Sequence, residues 1–398
     1  MRIGLFTDAY YPMVDGVIKV VDSYARRLVD KCEVIVFAPG FGKDKEVDVP
    51  YPVERCHTLS FNNFDYSVPM PHIDPAFEAA LIRSKLDLVH IHSPFSIGLI
   101  GLNYARLRDV PVVATIHSQY KQDFERALRL PTTVNLAVMT IMSIFNACDE
   151  CWAVNDAVRK LYIHEYSLTA PCKVKQNATD HVPVADRKAA AAEVNALYGL
   201  DEDDLVLLFT GRINFIKNID FIVRSLRILK DKGLRFKMLF VGQGQDEDKL
   251  KALVRELELD EEVVLCGLVK EKSMLEKIYS RAKLFLFPSL YDANSLVQIE
   301  AACQSTPTLF LRGARTAGNV TEDVNGFLAD ADEHAYADKI MRILSDEAYY
   351  LKVSEGAFRD IYRTWDQVVD EVFEDYRRLI ANHEKRTIID RIDSIIPS

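Results

Sequence analysis

Two cationic residues follow a short apolar run in the second half of this 398-residue chain. The run Leu205–Gly211 is typical of a buried strand, and Arg212 and Lys217 come soon after its last residue. A planar guanidinium matches pairs of phosphate oxygens, and an ammonium adds a compact charge. Ligands of open α/β sheets bind beyond the carboxyl ends of the strands. The pattern indicates a diphosphate site, with a solvated surface loop as the alternative for these two residues alone.

Two acidic residues stand eight positions apart farther along the chain. Asp292 ends a predicted loop, and Glu300 lies about two turns into the following predicted helix, near Leu296–Cys303. Amides in the first turn of such a helix can bind a phosphate, because the helix dipole favours negative charge there. Glu300 is placed to accept hydrogen bonds from two ribose hydroxyls. A capped helix with an exposed acid is the alternative. The amides concerned lie at Asn294, Ser295, Leu296 and Val297.

A Gly-x-Gly turn, Gly242–Gly244, follows the predicted strand Phe236–Val241. Glycine at such a turn, as at Gly211, lets the backbone approach a ligand closely. Most short Gly-x-Gly stretches are simple turns, so this motif gains meaning only beside the others.

In their order and spacing these motifs resemble the retaining GT-B glycosyltransferases of glycosyltransferase family 4. The matching segments are Gly211-Arg212, Lys217, Gly242–Gly244, the pair Asp292 and Glu300, Ala301–Pro307 and Val324–Leu328. The family usually has glutamate and then Phe-Gly where this chain has Asp292 and then Ala293-Asn294-Ser295. The resemblance implies an enzyme that transfers a hexose from a nucleotide diphosphate, with uridine diphosphate as the commonest carrier.

Two segments of the first half are similar to further loops of the same family. They are His90–Pro94 and Thr115–Tyr120, and the second implies that His117 contacts the donor sugar or the acceptor. His90 and His92 are weaker candidates. The form Thr-x-His-Ser-Gln-Tyr is most similar to glucosyltransferases that act on diacylglycerol, so the acceptor expected is a lipid, with a soluble glycan or small molecule as the alternative.

The family's reaction passes through an oxocarbenium-like transition state on one face of the sugar, and its catalysis is largely electrostatic. The resemblance therefore implies catalytic roles for Arg212, Lys217, His117 and Asp292. It also implies that Gly16, after the first loop Asp8–Pro12, places its amide against the donor phosphate. The full donor-binding set is Gly16, Gly211, Gly242, Gly244, Asn294, Ser295, Leu296, Val297 and Glu300. Because two cations would neutralise the diphosphate, neither a metal nor another cofactor is expected.

A membrane surface is a further expected partner. Lys121, Arg126 and Arg129 trail the second histidine loop and are candidates for contact with lipid headgroups, with a solvated helix face as the alternative. The uncharged run after Arg129 is long enough to raise the question of a membrane span. We interpret it as a helix buried in the first domain, with a helix embedded in a membrane surface as the alternative.

Strand and helix patterns alternate in both halves, which predicts an α/β protein of two Rossmann-like, doubly wound domains facing across a cleft. The predicted domains are 1–180 and 181–365, with a helix over 366–398 that packs back on the first domain. An epimerase or a phosphorylase on the same fold, and a binding protein without catalytic activity, remain alternative functions.

Composition narrows the classes further. The net charge of −10 argues against nucleic acid as a partner. Seven cysteines without a regular pattern, and no signal peptide after Met1, predict a cytoplasmic protein with reduced thiols, at the inner face of the membrane if it meets lipid.

Overall fold

The computed structural model describes residues 1–13, 15–41, 47–59, 68–128 and 130–395, with side chains described as far as Arg386. The chain forms two compact units. One contains Met1–Asn177 and the helix that begins at Trp365, and the other contains Ala178–Thr364. Each unit is built on its own parallel sheet, so the predicted class of two doubly wound α/β domains is confirmed.

The first unit has a seven-stranded parallel sheet in the order β3-β2-β1-β6-β7-β8-β9. Its strands are β1 Arg2–Phe6, β2 Glu33–Pro39, β3 Val53–Cys56, β6 Leu88–Ile91, β7 Val112–Ile116, β8 Glu150–Ala153 and β9 Cys172–Val174. A small antiparallel pair, β4 Thr58–Leu59 and β5 Val68–Pro69, lies apart from it. The helices are α1 Gly16–Leu28, α2 Pro75–Ser84, α3 Ser96–Arg108, α4 Tyr120–Ala127, α5 Pro131–Phe145, α6 Asp156–His164 and the last helix, α14 Trp365–Ile395.

The second unit has a six-stranded parallel sheet in the order β12-β11-β10-β13-β14-β15. Its strands are β10 Val206–Thr210, β11 Lys237–Val241, β12 Val263–Gly267, β13 Leu284–Leu286, β14 Thr308–Leu311 and β15 Phe327–Ala329. Its helices are α7 Arg187–Tyr198, α8 Ile219–Asp231, α9 Glu247–Glu256, α10 Lys272–Arg281, α11 Leu296–Cys303, α12 Glu333–Ser345 and α13 Glu347–Asp360. Residues on both faces of the central strands are buried, as is usual for a parallel sheet covered by helices.

The final helix completes the first unit. Tyr376 of α14 stacks on the fully buried Trp152 of β8, with ring centroids 5.7 Å apart. Beside this stack, the carboxylate of Asp375 forms ion pairs with Nζ of Lys173 at 2.5 Å and with Nζ of Lys175 at 2.9 Å. Lys175 is only 8% exposed. The first sheet is therefore covered by chain that follows the entire second unit in sequence.

The prediction that the uncharged run forms a buried helix is wrong. Helix α5 buries one side, which includes Val134, Ile141 and Phe145, against the first unit. On its other side Leu136 is 64% and Met139 is 68% exposed. After the exposed Pro131, threonine, serine and asparagine occupy the remaining exposed positions, so the helix lacks charge without being apolar all round. Among the residues described, no helix is both long and apolar enough to cross a membrane.

Candidate functional site

The two predicted cations lie at the carboxyl end of β10 in the second unit. After Gly211, the short turn Phe215–Lys217 is fixed by Asn214, whose side chain accepts a hydrogen bond from the amide of Ile216 at 3.0 Å. Lys217 Nζ then lies 2.7 and 2.8 Å from the two carboxylate oxygens of Asp292. The structure therefore brings together Lys217 and Asp292, which are 75 positions apart in sequence.

Arg212 differs from Lys217 in having no partner among the residues that the structure describes. Its side chain is exposed, and it makes no hydrogen bond or ion pair with any residue in the described part of the chain. Asp292 is held on its other side by Ser289, whose hydroxyl donates to Oδ2 at 2.7 Å. An exposed guanidinium without such a partner has its hydrogen-bonding capacity available for an anion.

Polar side-chain atoms without partners surround the start of α11. Both amide atoms of Asn294, the hydroxyl of Ser295 and Oε1 of Gln298 are buried and make no hydrogen bond to the described residues. Ser295 is the N-cap residue of α11, yet its side chain does not cap the helix. Buried polar atoms normally find partners, so this cluster and the uncapped amides are the arrangement expected of a site that receives a polar ligand. The alternative of a capped helix is not what the structure contains.

Glu300 is buried, so the alternative of an exposed acid is wrong as well. Its Oε2 accepts a hydrogen bond from the hydroxyl of Tyr279 at 2.9 Å, and Tyr279 in turn bonds Thr210 at the end of β10. His181 lies on the other side, with Nε2 3.8 Å from Oε1. Neither Tyr279 nor His181 was predicted, because no sequence motif contains them and only the fold brings them to Glu300.

The glycines of the second unit have a packing role that the sequence pattern did not predict. A Cβ on Gly242 would lie 1.9 Å from the carbonyl oxygen of Gly211, and one on Gly244 would lie 2.1 Å from that of Ile213. Gly242 also has a φ of 140°, which disfavours a side chain. These glycines therefore let the loops after β10 and β11 pack backbone to backbone.

We expect Gly242→Ala to lower the free energy of unfolding by about 2 kcal/mol, because the methyl group would overlap the Gly211 carbonyl. Gly199→Ala is the matched control, since Gly199 has a φ of 65° but no neighbouring atom within 4 Å. The control should lose only about 1 kcal/mol, from backbone strain alone. Urea denaturation measures both, and equal losses would show that backbone conformation explains the requirement for glycine at position 242.

The histidines predicted in the first unit lie together at the carboxyl ends of β6 and β7. His92 Nδ1 is 3.1 Å from His117 Nε2, and the ring of His90 packs on that of His92 with centroids 4.0 Å apart. Burial lowers the pKa of His117 to about 3, so its ring is neutral near pH 7. His117 is thus held in place by His92 and carries no charge.

The first loop is fixed by two aspartates that cap helices. The carboxylate of Asp8 accepts hydrogen bonds from the amides of Ile97 at 2.9 Å and Gly98 at 3.4 Å, at the start of α3. Burial raises the pKa of Asp8 to about 6 despite these bonds. Asp15 accepts from the amide of Val17 at 2.7 Å, which places Gly16 in the first turn of α1.

The three basic residues proposed for lipid contact differ in exposure and in whether the structure describes them. Lys121 is half-buried in α4, and its Nζ lies 4.0 Å from Oε1 of Glu125. Arg126 is exposed at the end of the same helix, and Arg129 falls outside the described residues. In the described part of the chain, no group of three or more His, Cys, Asp or Glu residues is arranged to hold a metal ion.

Two family models match the two units of this architecture. The model described as Glycosyltransferase Family 4 matches residues 14–182, and that described as Glycosyl transferases group 1 matches residues 193–360. The chain belongs to these glycosyltransferases. The resemblance drawn from the sequence motifs is therefore confirmed, and so is the prediction that the protein is an enzyme that transfers sugars.

The names of individual relatives of this glycosyltransferase refer to different acceptors. It is 24% identical over 351 residues to the alpha-monoglucosyldiacylglycerol synthase of Streptococcus pneumoniae, over 86% of this chain and 78% of the relative. It is 28% identical over 409 residues to D-inositol 3-phosphate glycosyltransferase 1 of Catenulispora acidiphila, over 97% of this chain and 88% of the relative. Among solved structures, HepE of Anabaena in complex with UDP-glucose matches with a TM-score of 0.73 at 15% identity, over 94% of this chain and 100% of that one. The likeness to HepE supports the GT-B fold.

Proposed function

We propose that this glycosyltransferase moves a hexose from a uridine diphosphate sugar, of the UDP-glucose type, to a lipid acceptor such as diacylglycerol, with retention at the anomeric carbon. The observation that carries the proposal is the cluster of buried polar atoms at the start of α11 in the second unit. Atoms of Asn294 and Ser295 without a hydrogen-bond partner in the described structure lie at the uncapped start of α11, four residues or fewer from Asp292, which pairs with Lys217. This is the chemistry that a diphosphate requires.

Donor binding would exchange partners within this cluster. The diphosphate takes the hydrogen bonds of Arg212, Lys217 and the α11 amides, and Asp292 then accepts hydrogen bonds from sugar hydroxyls. Glu300, oriented by Tyr279, accepts from the ribose hydroxyls. The relative named for diacylglycerol and the neighbouring structure with bound UDP-glucose support this donor and acceptor.

The chemical step would be carried by electrostatics. The bond from the anomeric carbon to the diphosphate breaks, and a bond to the acceptor oxygen forms on the same face of the sugar. The acceptor's proton moves to the departing diphosphate oxygen, so no protein base is needed. Arg212, Lys217 and the amides stabilise the charge that develops on the leaving group. His117, neutral at pH 7, positions the sugar or the acceptor by a hydrogen bond.

The decisive experiment is a screen of nucleotide sugars by mass spectrometry, with vesicles that contain diacylglycerol. One glycolipid product with the anomeric configuration of its donor would establish donor, acceptor and stereochemistry together. Release of nucleoside diphosphate without glycolipid would overturn the lipid acceptor and direct the search to soluble ones. If neither a glycolipid product nor hydrolysis of the donor is detected, the proposed transferase activity is contradicted and a binding protein is favoured. The departures from the family pattern at Asp292 and Ser295 would then support that alternative.

A soluble acceptor is the second candidate. The relative named for D-inositol 3-phosphate aligns with 97% of this chain, more than the diacylglycerol relative does. Inositol phosphate belongs in the same screen, and product formed only from it would replace the lipid proposal.

We expect turnover to persist after removal of divalent metal. Arg212 and Lys217 supply two positive charges where other phosphate-transferring enzymes use a metal ion. Dialysis against excess EDTA should leave kcat within about twofold, a change of less than ~0.5 kcal/mol in the barrier. Loss of activity on chelation, with recovery on adding Mg²⁺ or Mn²⁺, would contradict this expectation.

The exposed side of α5 supports contact with a membrane surface. Leu136 and Met139 project from it without cover from the described part of the first unit, and Arg126 lies at the end of the preceding helix. Leu136→Ser with Met139→Ser should weaken binding to phosphatidylglycerol vesicles about tenfold or more. Leu107→Ser is the control, since Leu107 on α3 is 77% exposed, slightly more than Leu136 and Met139. Equal effects of the two changes in a sedimentation assay would argue against α5 as the contact.

A further inference from the structure

A series of three imidazole rings runs through the interior of the first unit. His90 lies on β6, and His92 follows one residue beyond its end. Their ring centroids are 4.0 Å apart, and those of His92 and His117 are 5.3 Å apart with an angle of 17° between the planes. His90 and His92 are completely buried. The third ring, that of His117, is only partly buried, so the series extends from the core of the first unit toward its surface.

Hydrogen bonds at both nitrogens fix the innermost ring. His90 Nδ1 is 2.6 Å from the hydroxyl of Tyr376 on α14, and His90 Nε2 is 2.7 Å from the hydroxyl of Thr115 on β7. Rotation of the ring would break both contacts inside the core, where their loss is costly. His90 therefore presents a fixed surface on which the ring of His92 rests.

His92 has one partnered and one unpartnered nitrogen. Its Nδ1 lies 3.1 Å from His117 Nε2, while its Nε2 is buried and makes no hydrogen bond to any described residue. Burial lowers the pKa of both His92 and His117, so both rings are neutral and each carries one hydrogen. The contact between them needs one of these hydrogens.

The unpartnered nitrogen decides between the two arrangements. If His92 carried its hydrogen on Nε2, a buried N–H would be left without an acceptor, which is rarer in proteins than a buried acceptor without a donor. The favoured arrangement puts the hydrogen on His92 Nδ1, which donates to His117 Nε2. His117 must then carry its own hydrogen on Nδ1, and that atom has no partner among the described residues.

We propose that His92 is a positioning residue that fixes His117 as the Nδ1–H tautomer, so that His117 acts on the substrate as a hydrogen-bond donor and not as a proton acceptor. The catalytic part of this inference rests on the proposed function, because it assumes that His117 faces the sugar or the acceptor. The tautomer itself rests only on the contacts within the first unit.

The tautomer is tested without any substrate. In protein with ¹⁵N-labelled histidine at pH 7, long-range ¹H–¹⁵N spectra should show His117 with a protonated Nδ1 and a bare Nε2, assigned by comparison with His117→Asn. His92→Asn, whose amide occupies the place of Nδ1, should keep this pattern. His92→Gln, whose amide occupies the place of Nε2, should lose it while the His90 signals persist and show an intact core. A hydrogen on His117 Nε2 in the native protein, or an unchanged pattern in His92→Gln, would overturn the inference.

The catalytic part is tested by kinetics on the same variants. His92→Asn should keep kcat within about threefold, whereas His92→Gln should lower kcat about 100-fold with little change in the KM for the donor. A merely structural role would lower activity in both variants in proportion to their loss of folded protein. If the spectra behave as expected but His92→Gln keeps its native kcat, the role given to His117 in the proposed function is wrong and the tautomer assignment stands.

Discussion

Replacing Arg212 or Lys217 by methionine is expected to lower kcat about 100- to 1000-fold, because each removes a charged donor from the leaving diphosphate. The fold should survive both changes. Arg212 has no partner to lose within the described chain, and loss of Lys217 leaves Asp292 bonded to Ser289. Initial rates of nucleoside diphosphate release at saturating donor measure the effect.

Two control variants separate this effect from a general loss of positive charge. Arg235 is exposed at the opposite end of the second sheet, just before β11, and Lys249 is exposed on α9 with Asp246 as its partner. Arg235→Met and Lys249→Met should keep kcat within about twofold. A site variant that also keeps its rate would remove that residue from the proposed mechanism.

Asp375→Asn is expected to lower the free energy of unfolding by about 3 kcal/mol, because it removes the carboxylate that neutralises two lysines beside Trp152. Lys175 would remain nearly buried, with Glu371, at 3.3 Å, as its one remaining ion-pair partner in the described structure. Glu374→Gln is the matched control, since the adjacent Glu374 is exposed and pairs only with Arg377 one turn away in the described structure. Urea unfolding of the three proteins at pH 7 gives the comparison.

The same variant has an expected dependence on pH. Burial alone would raise the pKa of Asp375, but the hydrogen bonds from Lys173 and Lys175 outweigh it and hold the pKa below its usual value. A carboxylate with a lowered pKa in the folded state contributes its full stabilisation above its unfolded pKa of about 4, and this contribution is lost as the pH falls further. The difference in the free energy of unfolding between the native protein and Asp375→Asn should therefore become smaller as the pH falls below about 4. A difference that stays constant down to pH 3 would show that packing, not charge, causes it.

The second unit was largely predictable because its motifs coincide with its elements. Helix α11 has the predicted bounds, since a polar loop ends at Ser295 and an apolar segment begins at once. Strand β10 ends one residue before Gly211, where the pattern changes from apolar to cationic. The burial of Glu300 was not predictable, because Tyr279 comes from another helix and only the fold brings the two together.

The first unit was harder to predict for a physical reason. The run over α5 has no charge, and the mean polarity of a segment does not say which of its sides faces the core. Exposed Leu136 and Met139 are separated by one turn, with small polar residues beside them, so the pattern fits a buried and a half-exposed helix equally well. The last helix, expected over 366–398, runs over Trp365–Ile395 in the described part of the chain.

The placement of α14 has a consequence for how the protein is made. Thr179, at the start of the second unit, donates its amide hydrogen to the carbonyl of Arg363, and it also pairs with Thr364 at that unit's end. The second unit thus resembles a domain inserted into the first, with its two ends side by side. Tyr376 stacks on Trp152 and forms a hydrogen bond with His90. During synthesis, both of these partners leave the ribosome more than 200 residues before Tyr376 does. The unit whose strands are translated first is consequently the last of the two to have all of its chain.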